Sequence, residues 1–227
     1  MSSPREMLYL ELGVSPIRNM IRSRRINFLQ YILKEEKDSL MYRFLMAQKD
    51  NPVKNDWCLM VMHDIEMYQL GLQVEEIVKM SEATFKALVK KKEYETSLEY
   101  LNNEKIIKNH TKVMHITHSE LSMQDYLKPN TSSIEESKFT FLARSRMIAV
   151  RTNYKGQYTH TDTLCPLGCM DEDTQQQLLV YEELKETDAL VSEVPLYEHL
   201  FGNDLEKKLN ISRILKSKMK ERKKILE

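Results

Sequence analysis

Apolar residues recur three and four apart along most of this chain, with polar residues between them, which is the period of an amphipathic helix. In SPIRNMIRSRRINFLQYILKEE, Ile17, Ile21, Phe28, Ile32 and Leu33 fall at roughly that spacing. Ser15 is placed to cap this helix, and Pro16 to open it where a missing N–H costs nothing. A second helix is expected from Asp38 to about Gln48. A third opens at Asn51-Pro52, carries Trp57, Val61, Ile65 and Tyr68, and stops at Gly71. Ser81 caps a long helix over MSEATFKALVKKKEYETSLEYLNN, with Phe85, Leu88 and Val89 as its buried stripe. The pattern fades from Asn102 to Asn130, where LKPNTSS reads as a linker. Ser133 and Glu136 then have capping-box spacing and open a strong helix over KFTFLARSRMIAVRTNY, which Gly156 punctuates. A cysteine loop, a short acidic helix to about Leu184 and, after Pro195, the helix NDLEKKLNISRILKSKMKERKKILE complete the chain.

The expected fold class is therefore all-α: a multi-helix antiparallel bundle with a small knuckle-like turn and a basic C-terminal helix. The expected order is a helical domain (1–128), a linker and basic helix (129–158), a knuckle-like segment (159–187) and the C-terminal helix (188–227).

Composition changes this picture little. Of 227 residues, 41% are hydrophobic and 30% charged, an ordinary globular balance. Five Gly and six Pro are too few for a turn-rich all-β fold. Fourteen Met specify a core loosely and suit adaptable contact surfaces. No apolar run approaches the roughly 18 residues of a membrane span, and MSSPREMLYLELG lacks the pattern of a signal peptide. Three cysteines give no disulfide framework, so an intracellular, reducing setting, nucleus or cytoplasm, is expected, with no membrane partner.

Charge sharpens the reading, because the zero net charge averages over blocks of opposite sign. Arg18, Arg22 and Arg25 share one helical face, and Arg24 lies off it. Arg144, Arg151 and Lys155 align in the same way on the helix after the linker. The tail concentrates cations, Lys216, Lys220 and Lys223 among them. Such clusters track phosphate, and Tyr31, Tyr154 and Tyr158 offer stacking faces for unpaired bases. The bland reading is a solvated charged surface, which the zero net charge favours. Arg146, by helical phase, falls among apolar residues, where it snorkels or pairs with an acid. Trp57 reads as core rather than as a stacking platform, and His110, His115 and His118 as surface residues of a loose loop. The acids Asp171, Glu172, Asp173, Glu182, Glu183 and Glu186 form a solvated patch or dock on a basic helix of this chain.

Candidate metal chemistry is confined to CPLGCMDEDTQQQLLVY. Cys165 and Cys169 can share one ion, but a closed structural zinc site needs four Cys or His ligands. The helix that follows, with Asp173 and Gln176 spaced as a cap, presents Gln177 and Tyr181, and His160 would bring the set only to three. Reduced thiols in a compact turn are the simpler reading. No nucleophile–base pair, phosphate loop or complete metal set marks an enzyme.

Three motifs together resemble one family. LYLELGVSPIRNMIRSRRINFLQYIL (Leu8 to Leu33), KFTFLARSRMIAVRTNYKGQY (Lys138 to Tyr158) and CPLGCMDEDTQQQLL, with the trailing LYEHLFGNDLEKKLNISRIL, look like the region after the polymerase core in reverse transcriptases of non-LTR, LINE-like retrotransposons, jockey-type elements included. The resemblance spans nearly the whole chain. It implies a thumb-to-knuckle accessory region without the catalytic carboxylates, whose partners are RNA or single-stranded DNA and a reverse-transcriptase core. It also implies a zinc knuckle starting at Cys165 and Cys169. Gln177 stands where the family has His and Tyr181 where it has the final Cys, so the expectation is a lapsed metal site without cofactor. The alternative is a protein-interaction remnant whose amphipathic helices pack on a partner, or a decayed retroelement fragment with no independent activity.

Overall fold

The computed structural model describes residues 5–107, 118–145, 147–148, 164, 172–175 and 200–226. Its helices are α1 (Arg5–Leu12), α2 (Ile17–Lys34), α3 (Leu40–Asp50), α4 (Trp57–Met67), α5 (Val74–Lys79), α6 (Glu82–Ile107), α7 (Ile134–Arg144) and α8 (Leu205–Leu226), with a 3₁₀ turn at Asp125–Leu127. Among the described residues the protein is all-α; the one β feature is an isolated antiparallel bridge between Leu164 and Glu172. No helix among them is long and apolar enough to cross a membrane. The chain forms two compact units: a continuous one, Val14–Asn103, and a split one made of Met1–Gly13 and Glu104–Glu227.

In the continuous unit, α2 packs on α3, α4 and α5. Ile26, Leu29, Ile32 and Leu33 of α2 meet Leu45, Val61, Ile65, Tyr68, Ile77, Phe85 and Val89 in one core. Each such side chain contributes about 1.5–3 kcal/mol of burial. Part of the expected α2 stripe is turned the other way: Ile17, Ile21 and Phe28 are exposed. The buried face carries Asn19, Ser23 and Gln30 instead, because each finds a partner there. The Asn19 amide donates to Ser97 Oγ, Ser23 shares a hydrogen bond with the Tyr68 hydroxyl, and the Gln30 amide donates to the Ile77 carbonyl. Polar groups so satisfied are buried at little cost, and hydrophobic period alone misjudges such a face.

Helix starts follow local chemistry. Ser81 Oγ accepts from Thr84 N–H as expected, at 3.1 Å. At α2, Pro16 itself occupies the cap position, and its carbonyl accepts from Asn19 and Met20. The third helix begins at Trp57, later than Pro52, because Asp56 takes the cap position and its carboxylate accepts from Val53 N–H at 2.7 Å.

In the split unit, α7 packs on α8. Its capping box is the one expected: Glu136 N–H donates to Ser133 Oγ (3.2 Å), and Ser133 N–H to the Glu136 carboxylate (3.0 Å). The helix is shorter than its periodicity suggests and ends at Arg144. Met147 N–H returns to the Leu142 carbonyl, five residues back, a bond that closes a helix C-terminus. Gly13, at φ +64°, lets the 122–123 backbone approach; a Cβ there would lie 2.3 Å from the Ser122 carbonyl carbon.

Candidate nucleic-acid interface

The α2 cations divide by partner. Asp64, buried on α4, accepts from Arg25 through Nε (2.7 Å) and Nη2 (3.0 Å), a bidentate fork. Arg22 Nε adds a contact of 3.3 Å to the same carboxylate. Two of the three arginines expected to hold phosphate are thus held by an internal acid. An Asp at helical spacing from Val61 and Met60 in the mostly apolar run WCLMVMHDIEM was the available signal for such a partner. Arg18 is exposed and has no ion pair among the described residues.

Arg24 is also exposed, has no ion pair among the described residues, and lies on the outer face of α2. Residues 17, 21, 24, 28 and 31 stand on that face at successive spacings of four, three, four and three. Phe28 and Tyr31 are stacked on it, with centroids 5.9 Å apart and planes at 12°. Trp57, half-buried at the start of α4, meets Phe28 edge-on at 5.8 Å. It therefore belongs both to the rim of the core and to an exposed aromatic group. A hydrogen bond to Glu35 raises the pKa of the Tyr31 phenol. Tyr31 is exposed on this face, whereas Tyr154 and Tyr158 lie outside the described residues.

Arg144 requires a correction. It is one of the largest fully buried side chains, 1% exposed, and is not a phosphate-holding residue in this fold. Its Nε donates to Glu11 at 2.8 Å, Nη1 to the Leu200 carbonyl, and Nη2 to Gln124 Oε1 at 3.3 Å. Its guanidinium lies 4.3 Å from the Phe201 ring centroid and 5.6 Å from that of Tyr126. Glu11 also accepts from the Tyr126 hydroxyl at 2.6 Å, and His118 Nε2 stands 3.6 Å away. Burial, and then the Glu11 carboxylate, push the Tyr126 phenol far above its ordinary pKa. His118 is buried in this cluster rather than lying at the surface. The single helical face that would align Arg144 with Arg151 and Lys155 is interrupted at Ser145, and Arg151, Lys155 and Arg146 lie outside the described residues.

On α8, Lys216 pairs with Glu135 of α7 at 2.8 Å, and Arg213 with Glu136 at 2.6 Å. The Ser133 N–H, followed by Arg213, holds the Glu136 carboxyl down at about 2. Lys220 and Lys223 are exposed. Arg222 is buried and grips Asp173 through two bonds of 2.7 Å, so this member of the acidic group docks on the basic helix. Gln175 donates to the Ala143 carbonyl at 2.9 Å. Segment 172–175 is thereby fixed to α7 and α8. Cys165, Cys169, Gln177 and Tyr181 lie outside the described residues, as do His110, His115 and His160.

Comparison with family models, with curated proteins and with solved structures returned no match.

Proposed function

We propose that this chain is a non-catalytic nucleic-acid-binding module for RNA or single-stranded DNA, of the kind that accompanies a LINE-type reverse-transcriptase core. The observation that carries the reading is the outer face of α2, where stacked Phe28 and Tyr31 follow Arg24, which has no ion pair among the described residues, and Trp57 stands beside the aromatic pair. Aromatic faces stack on bases of any sequence, and a nearby guanidinium draws the backbone. Arg18, Lys220 and Lys223 add non-specific attraction.

Trp57 is the chain's single tryptophan, so it reports this face directly. Titration with a single-stranded oligonucleotide should quench its fluorescence, with affinity falling steeply as salt rises. Phe28→Ala should weaken binding about tenfold, in line with one lost stacking contact. Absence of both quenching and binding at low salt would remove the reading.

A protein partner is the second reading, favoured by Leu40 (82% exposed) and Phe44 (60%) on α3. It predicts salt-insensitive association through that helix.

A further inference from the structure

Lys208 lies one turn into α8 and is 4% exposed, yet its ammonium has no hydrogen bond or ion pair among the described residues. Its nearest aromatic is the Tyr126 ring, 5.9 Å away. A cation on a buried stem loses part of its hydration, and an acceptor entering from solvent restores it. This one lines an open cleft of about 400 Å³ in the split unit, with Ser122, Gln124, Asp125, Lys128 and Asn203 around it.

The polar lining is mostly donors. Gln124 Oε1 already accepts from Arg144, which leaves its amide N–H groups available. Asn203 and Ser122 side chains carry no partner among the described residues. The acid of the lining, Asp125, is held by Lys128 at 2.6 Å, so the two charges offset. What remains uncompensated is the positive charge of Lys208. A cation would find no free carboxylate here, whereas an oxyanion meets an ammonium and several neutral donors. The volume exceeds that of a bare phosphate and lies within the range of small-molecule sites. Phe201 and Met123 give the cleft an apolar side for the remainder of a ligand.

We propose that this cleft binds a phosphate monoester of nucleotide size, with Lys208 on the phosphate and Gln124 and Asn203 completing its hydrogen bonds. The ester comes either from a free nucleotide or from the phosphorylated end of a strand. The charged groups facing Lys208 are Arg144 from α7, Glu11 from α1 and Asp125 from the 3₁₀ turn. Burial first, and Arg144 next, bring the ammonium down to about 8. The site is therefore charged at neutral pH and loses its charge as pH rises through that value.

The test is titration of the isotope-labelled full chain with adenosine 5′-monophosphate, followed by NMR, with inorganic phosphate and adenosine in parallel. The monophosphate and phosphate should shift the amide signals of Ser122–Asp125 and Gly202–Asn203, and adenosine should not. Lys208→Met should weaken the monophosphate at least about tenfold, as loss of a charge-assisted hydrogen bond does. Asn203→Asp, at an exposed position, should weaken it too and stands in if the first variant fails to fold. Between pH 7 and 9 the affinity should fall about tenfold as Lys208 deprotonates. A 5′-phosphorylated oligonucleotide that outcompetes its dephosphorylated twin assigns the site to strand ends; equal competition, with the monophosphate bound, assigns it to free nucleotides. No shift with either anion, or unchanged affinity in both folded variants, would overturn the proposal.

Discussion

Asp64 in the continuous unit and Glu11 in the split one each hold arginine that the sequence reading placed on phosphate. Their surroundings differ. The Arg22 and Arg25 side chains that reach Asp64 keep 14% and 27% exposure and come from a single helix. The Glu11–Arg144 pair is fully buried, with 0% side-chain exposure on both members. Its further contacts come from chain as distant as Tyr126 and Leu200. The first is a clamp between two neighbouring helices at the edge of a core. The second is a hub through which segments remote in sequence are tied. The same ion-pair chemistry thus serves different ends, and burial decides which.

The sharpest way to break this contrast is to remove each acid. Glu11→Ala leaves Arg144 buried and uncompensated and should lower unfolding free energy by about 3–5 kcal/mol, read from urea denaturation. Asp64→Ala should cost less, about 1–3 kcal/mol, because its arginines can turn toward water. The same variant frees Arg22 and Arg25, so oligonucleotide affinity, followed through Trp57, should rise. Equal losses for the two variants would erase the distinction between clamp and hub. The smallest effect is expected at the exposed Glu136. Its carboxyl is held at about 2, below its unfolded value, so its contribution is present above that unfolded value and disappears as pH falls through about 2. Melting curves of Glu136→Gln and the parent should differ slightly at neutral pH and converge in acid.

The local signals were legible and the distant ones were not. Ser81 and Ser133 announce their helices because a cap is a contact three residues long. Phe85 and Val89 are buried as their spacing indicates. The α2 stripe misled because Asn19, Ser23 and Gln30 obtain partners from residues 45 to 78 positions away. The roles of Arg22, Arg25 and Arg144 were hidden for the same reason: a periodic arginine looks solvent-facing until its acid is known. Glu11 attracted no attention, since nothing adjacent in sequence distinguishes it from an exposed acid. The Lys208 cleft is assembled from residues 122–128 and 201–208, two stretches that carry no joint motif.

The Glu11–Arg144 bond bridges 133 positions, with the whole continuous unit lying between its ends. During synthesis α1 emerges before α7 and must wait until α7 has been made, while the core of the intervening segment is built from its own residues. Closing so long a loop carries an entropic cost that a prefolded insert reduces by shortening its effective span. The order of maturation would then run against the order of translation for α1, and limited proteolysis of chains halted before Arg144, finding α1 still open to cleavage, reads that order out.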